Sequence, residues 1–356
     1  DARVTAERLD YDGDSEELSA DGNARLEYFD LVMTSESMKV DYIDDRGVGT
    51  GSVKLDDPDY LIESDGFEID MKSATVTFTG NVELTEKAED GGTPFRLSSG
   101  KIVYEWKKKK GFAEGAVKVK ASERTAESER LEFDRDKKQY TFRGTVFIKQ
   151  ESGEWLADRP RFRDNESRAK NLATRPTEIY CEDAFIDDDA GLVELKGDPA
   201  RVVQERRELK ARAISVDEKS KVFDAGGDVI FSQESGDWLF ENGLVEDDLQ
   251  PEAEERLRRA FSVCADSLRS LYGESKVYAE GNVRLEQGGN KGRADRAWYY
   301  GEEGKTVLEG AVRFLDDTGR EISAGTIVYH SDDDVVEAFQ AIKGSSLIPE
   351  NPQQNP

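Results

Sequence analysis

A chain of 356 residues that is 36% charged, with 77 acidic against 50 basic residues and a net charge of -27, leans in composition toward disorder. It lacks the basic surface that displaces counterions, which excludes a sequence-independent nucleic-acid binder. No stretch approaches the roughly 18 consecutive apolar residues of a helical membrane span, and the two cysteines, Cys181 and Cys264, match no metal spacing, with a bond between them left open.

Periodicity overrides composition, because strands that alternate apolar and polar residues bury one face and keep the other charged. Two half-units recur in phase about every 30 residues. The first is a short strand, small-x-x-apolar-x-aromatic or aliphatic, usually followed by Asp; the second is Gly-x-Val-x-apolar. In chain order, Ala6 to Tyr11 precedes Gly22-Asn23-Ala24-Arg25-Leu26, Ser37 to Tyr42 precedes Gly51-Ser52-Val53-Lys54-Leu55, and Ser64 to Ile69 precedes Gly80-Asn81-Val82-Glu83-Leu84. Ser99 to Tyr104 then leads to Gly115-Ala116-Val117-Lys118-Val119, and Ser128 to Phe133 to Gly144-Thr145-Val146-Phe147-Ile148. A distorted copy joins Cys181 to Ile186 with Gly197-Asp198-Pro199-Ala200-Arg201-Val202, and Ala211 to Val216 leads to Gly227-Asp228-Val229-Ile230-Phe231. Gly281-Asn282-Val283-Arg284-Leu285, Ala294 to Tyr299 with Gly310-Ala311-Val312-Arg313-Phe314, and Ala324 to Tyr329 complete the series. Between the halves lie a polar turn, such as Asp12-Gly13-Asp14, and a period-two run such as Val76-Thr77-Phe78. The recurring glycine predicts a bulge or tight bend where the strand turns a corner.

Two intervals, Gly144 to Gly197 and Gly227 to Gly281, are nearly twice the usual spacing. The first is read as a degenerate repeat near 155–180, with Ala157 to Phe162 interrupted by Pro160. In the second, Leu257, Ala260, Phe261, Cys264, Leu268 and Leu271 stand at helical spacing behind Pro251, which predicts an inserted amphipathic helix near 251–272. That helix either covers apolar surface or docks and gates. The Pro-rich tail, 349–356, is expected to be disordered.

Chemistry-bearing residues are scattered. His330 is the single histidine and has no orienter and nucleophile beside it in sequence, so no catalytic residues are expected and the chain is read as no enzyme. Asp44-Asp45, Asp56-Asp57 with Asp59, Asp187-Asp188-Asp189 and Asp332-Asp333-Asp334 fall where turns are expected and lack a calcium-loop pattern, so no metal or cofactor is expected. Lys107-Lys108-Lys109-Lys110 is either a solvated hairpin tip or a contact for a lipid phosphate. Trp155 and Trp238, at equivalent places, read as core.

The run Ala6-Glu7-Arg8-Leu9-Asp10-Tyr11-Asp12 with Gly22-Asn23-Ala24, and the echoes Gly80-Asn81-Val82 and Gly281-Asn282-Val283, resemble the OstA-like family of lipopolysaccharide transport proteins. The resemblance runs from Val4 to about Leu347. It implies an all-β fold, an extended two-sheet β-jellyroll shaped like a taco, here a repeat solenoid of about ten rungs and one continuous domain over 1–348. It also implies a periplasmic, exported protein that binds lipopolysaccharide or a related glycolipid by its lipid A acyl chains in an apolar groove between the sheets, and moves it between membranes. Edge-to-edge association with LptC-like or LptD-like jellyrolls, or with itself, would follow from exposed sheet edges. The chain begins at Asp1-Ala2-Arg3-Val4, inside the first repeat, as a mature or trimmed chain would. The predicted groove lining is Phe67, Ile69, Val82, Leu84, Ile102, Val117, Val119, Leu131, Phe133, Val146 and Ile148. The rival reading is a structural or adhesive β-solenoid in which these residues are a closed core and no lipid binds.

Overall fold

Alternation of period two makes strands, and the recurring glycine bends them. The computed structural model describes residues 2–28, 31–57, 60–87, 95–121, 124–151, 176–237, 240, 251–301, 303–330, 335–340 and 343–345. The chain divides into two compact units: unit 1 is Asp1–Gln150 with Tyr180–Asp189, and unit 2 is Glu151–Ile179 with Ala190–Pro356.

In unit 1 the strands are β1 Ala2–Thr5, β2 Arg8–Asp12, β3 Glu17–Tyr28, β4 Leu31–Asp41, β5 Arg46–Asp56, β6 Tyr60–Asp70, β7 Thr75–Glu86, β8 Arg96–Glu105, β9 Lys110–Ala121, β10 Arg124–Asp134 and β11 Gln139–Gln150. Most of β12, Thr177–Asp187, falls in it too. Unit 2 holds β13 Leu192–Gln204, β14 Arg207–Asp217, β15 Val222–Gln233, the helix α1 Pro251–Arg258, β16 Phe261–Leu271, β17 Lys276–Gln287, β18 Asn290–Tyr300, β19 Lys305–Leu315, β20 Glu321–His330, β21 Val335–Phe339 and β22 Lys343–Ser345. Successive strands pair antiparallel from β3 to β11 and from β13 to β21.

Each long strand breaks register midway. Between β7 and β8 the pairing runs to Thr79↔Lys101 and resumes at Val82↔Ser99. The skipped pair, Gly80 and Asn81, has φ of +73° and +45°. A Cβ on Gly80 would stand 2.5 Å from an Asp65 carboxylate oxygen, so glycine is required there by space as well as by conformation. Asn81 Nδ2 donates to that carboxylate at 2.9 Å, and the same lock recurs at Asn23 with Glu7 and Asn282 with Asp266. Aligned across the strands, these bulges form a crease. Along it the buried hydroxyls of Ser35, Ser64, Ser99 and Ser128 each donate to the carbonyl two residues on, at 2.8–3.1 Å. Unit 2 has Ala211, Ala265, Ala294 and Ala324 in that row.

The strand-ending Asp caps the turn that follows. Asp217 Oδ1 accepts from the backbone N–H groups of Lys219 and Ser220 at 3.0 and 2.9 Å, and Asp70 accepts from that of Ser73 at 2.9 Å. These backbone hydrogen bonds are the chief reason both carboxyls lie below the usual carboxylate range.

Two expectations change. The second repeat is phased on Ser35, Met38 and Val40, all buried, while Tyr42 is 42% exposed. A two-residue slip keeps the same face, so alternation could not choose the phase; the bulge does. The helix expected over 251–272 ends at Arg258, and Phe261–Leu271 is strand β16, paired with β15 and β17. Its bulge between Cys264 and Ser267 puts a three-residue step into the buried series Val263, Ala265, Leu268, and that step imitates a helical period. The stretch 152–175, Trp155, Trp238, Asp332-Asp333-Asp334 and the tail 349–356 lie outside the described residues.

Candidate functional site

The crease splits each long strand whose pairing is described into a glycine arm, carrying or pairing with the residues after the bulge glycine, and an aspartate arm, on the side of the capping Asp. An extended 11-residue strand spans about 35 Å. Yet Tyr60, at the start of β6, meets Tyr104, at the end of β8, with ring centroids 6.2 Å apart. The arms of unit 1 therefore fold toward each other and enclose their apolar faces.

All eleven predicted lining residues face inward in unit 1 and are at most 8% exposed. Neighbouring glycines make room for the largest of them: a Cβ on Gly111 would fall 2.7 Å from Cζ of Phe133, and one on Gly49 would strike the Phe67 ring. The structure thus brings the set together as a packed core. Its mouth is closed by contacts between opposite arms: Tyr28 edge-on to Trp106 at 6.3 Å, Phe95 stacked on Tyr140 at 6.1 Å, and Arg124 3.9 Å from Asp188. Burial pushes the Tyr140 phenol up and is also the main cause raising the Asp188 carboxyl.

In unit 2 the equivalent places are half open. The residue two beyond the post-glycine valine is Leu55, Leu84, Val119 or Ile148 in unit 1, all buried; in unit 2 it is Phe231, Leu285 or Phe314, all half-buried. These three, with Phe261 and Ile322, pack against a buried cluster that includes Val263, Val283, Leu308 and Ile327. On the aspartate arm Val216 and Val277 are half-buried and Tyr299 is 40% exposed. At one rung Ala279 and Ala297 take the places that Phe78 and Ile102 hold in unit 1, while Leu308 and Ile327 beside them are large and buried. Half-buried apolar residues around this buried cluster leave an apolar rim partly open to solvent. Sequence reasoning placed Phe231, Leu285 and Phe314 on strands but did not select them, because the repeat pattern marks which face a residue is on and not what lies opposite.

The other candidates are accounted for locally. Lys108, Lys109 and Lys110 pair with Glu105, Asp136 and Asp134 at 2.5, 3.6 and 2.9 Å. His330 Nε2 is 3.8 Å from Glu337. Cys181 and Cys264 are both free thiols; burial pushes the Cys181 thiol up to about 12. Among the described residues no group of three His, Cys, Asp or Glu is placed to hold a metal ion.

Residues 178–335 match the family model described as LptA/(LptD N-terminal domain) LPS transport protein. This stretch is similar to the LptA/LptD N-terminal domain family. The LptA/LptD N-terminal domain match runs from β12 to the first residue of β21, and so takes in the half-open rim. Among solved structures, one with a likeness is described as LptH, the LptA homologous periplasmic component of the conserved lipopolysaccharide transport device from Pseudomonas aeruginosa. It is 14% identical and covers 49% of this chain and 96% of its own; its TM-score of 0.24 is too low to carry an argument. No curated protein matches the chain.

Proposed function

We propose that this protein takes part in lipopolysaccharide transport in the periplasm, holding lipid A acyl chains at the half-open apolar rim of unit 2. One observation carries the reading: the half-open rim of Phe231, Leu285, Phe314 and Ile322 lies within the stretch that matches a lipopolysaccharide-transport family. Each methylene moved from water into such apolar surroundings gains about 0.8 kcal/mol without directional demands. A chain held this way can slide, and transport then needs positioning and no covalent chemistry. Sheet edges such as that of β2, where Leu9 and Tyr11 are exposed, suit strand-to-strand association with LptC-like or LptD-like jellyrolls or a second copy.

The closed core of unit 1 favours the rival reading, a structural solenoid without a ligand. Photoreactive residues at Phe314 and Leu285, each compared with its outward neighbour Arg313 or Arg284, separate the two in the presence of purified lipopolysaccharide. Crosslinks at the inward pair alone are expected. Their absence from folded protein, or equal crosslinking at all four positions, would leave the structural reading standing.

A further inference from the structure

Unit 1 repeats the crease and the inward apolar faces of unit 2, and among the contacts that tie its arms together one is made by a half-buried arginine at the mouth, Arg135. Arg135 follows the capping Asp134 at the aspartate-arm end of β10. Its guanidinium donates to a Glu86 carboxylate oxygen at 2.8 Å and lies 3.6 Å over the Tyr60 ring. Tyr60 and Glu86 are direct partners on β6 and β7, at the far tip of the glycine arm. Tyr60 also meets Tyr104, which stacks on Phe133 with centroids 6.3 Å apart. Phe67, Ile69 and Leu131 are buried on the same inward faces.

The backbone ladders run from strand to strand within each arm and through the crease. The contacts across the mouth just described are made by side chains. Parting the arms at this point breaks these ring contacts, the cation–π contact and the ion pair and exposes the apolar faces behind them, but leaves the ladders intact. An anionic acylated amphiphile replaces both kinds of contact at once. Its phosphate competes with Glu86 for Arg135, and its acyl chains take the place of the opposing rings.

We propose that unit 1 is a second compartment for the acyl chains of an anionic lipid, held shut by Arg135 as a latch between its arms. The proposal rests on the reading of unit 2 as lipid-holding, and it assigns the eleven inward residues of unit 1 to a space that opens only when the latch is released.

Two readouts on the full chain test it. In a Cys181→Ser, Cys264→Ser background, a thiol introduced as Val119→Cys, just inside the mouth, reports opening without lipid through its alkylation rate. Adding Arg135→Ala is expected to raise that rate about tenfold, equivalent to about 1.4 kcal/mol, and Glu86→Gln to raise it less. With purified lipopolysaccharide, a photoreactive residue at Phe133 is expected to crosslink weakly with the latch intact and severalfold more in both variants. Crosslinking at Phe314 stays constant. Circular dichroism confirms that each variant is folded, and the two variants act from opposite sides of the latch, so a folding defect in one leaves the other to decide. Unchanged alkylation and unchanged Phe133 crosslinking in the folded variants would overturn the latch. Loss of crosslinking at Phe314 with alkylation still rising would overturn the lipid reading of unit 2 and leave the latch as a purely conformational device.

Discussion

Leu84 in unit 1 and Leu285 in unit 2 occupy the same place in the repeat, two residues past the valine that follows the bulge glycine. Leu84 is 6% exposed and Leu285 is half-buried. Their strands alternate identically and their glycines share the same left-handed conformation, at Gly80 and Gly281. The difference comes from across the mouth. In unit 1 Tyr28, Tyr60, Phe95, Tyr104, Trp106 and Tyr140 meet in pairs between the arms. In unit 2 Phe231, Leu285 and Phe314 stay half-buried around a core that includes Leu308 and Ile327. A repeat can therefore preserve its backbone while changing from a closed core to a half-open one, by exchanging side chains at the mouth.

The largest expected break of this comparison is cavity formation. Phe67→Ala should destabilise unit 1 by about 3–5 kcal/mol, whereas Phe314→Ala, at a half-open rim, should cost about 1 kcal/mol. Chemical denaturation followed by hydrogen exchange, which assigns each transition to its unit, measures both. Equal costs would mean that the rim of unit 2 is as tightly packed as the core of unit 1.

The crease, in contrast, should respond alike in both units. Gly80→Ala and Gly281→Ala each force a side chain into the left-handed region and against an Asp carboxylate, Asp65 or Asp266, at a cost of about 1–3 kcal/mol. Thermal unfolding of the two variants should show similar shifts; a much smaller shift for Gly281→Ala would mean that the crease of unit 2 relaxes as its mouth does.

The smallest effect is a pH dependence of opposite sign in the two units. Burial raises the Asp316 carboxyl, but hydrogen bonds from the Thr318 hydroxyl and from the Arg320 backbone and side chain outweigh it and bring it to about 2. Its folded value lies below the unfolded value of about 3.9, so its contribution is complete above that value and is lost as pH falls toward 2. Asp188 in unit 1 is raised by burial. Its contribution is present below the unfolded value and is lost as pH rises through the folded one. An acid titration should accordingly lose part of its unit 2 destabilisation in Asp316→Asn. Asp188→Asn should remove a stabilisation of unit 1 present only in acid. The same sign of change for both would contradict the assignment.

The all-β class, the crease and its glycines were legible in the amino-acid order, because a strand repeats every two residues and a left-handed bulge admits few side chains. Gly80-Asn81-Val82-Glu83-Leu84 states all of this by itself. The phase of the second repeat was not legible, since Ser35 and Ser37 sit on one face and the register shift opposite them chooses between the two. Nor was β16, where a bulge between Cys264 and Ser267 turns a period of two into an apparent period of three to four. The inward direction of Phe67, Val82 and Phe133 followed from alternation, but the same alternation holds for Leu285 and Phe314.

What the amino-acid order determined, then, is the local conformation and the face on which each side chain stands, because both depend on neighbours a few residues away. Tertiary structure alone decided which faces close and which stay open. That depends on residues such as Tyr60 and Arg135, 75 positions apart in the chain and 3.6 Å apart in space, whose meeting no periodicity encodes.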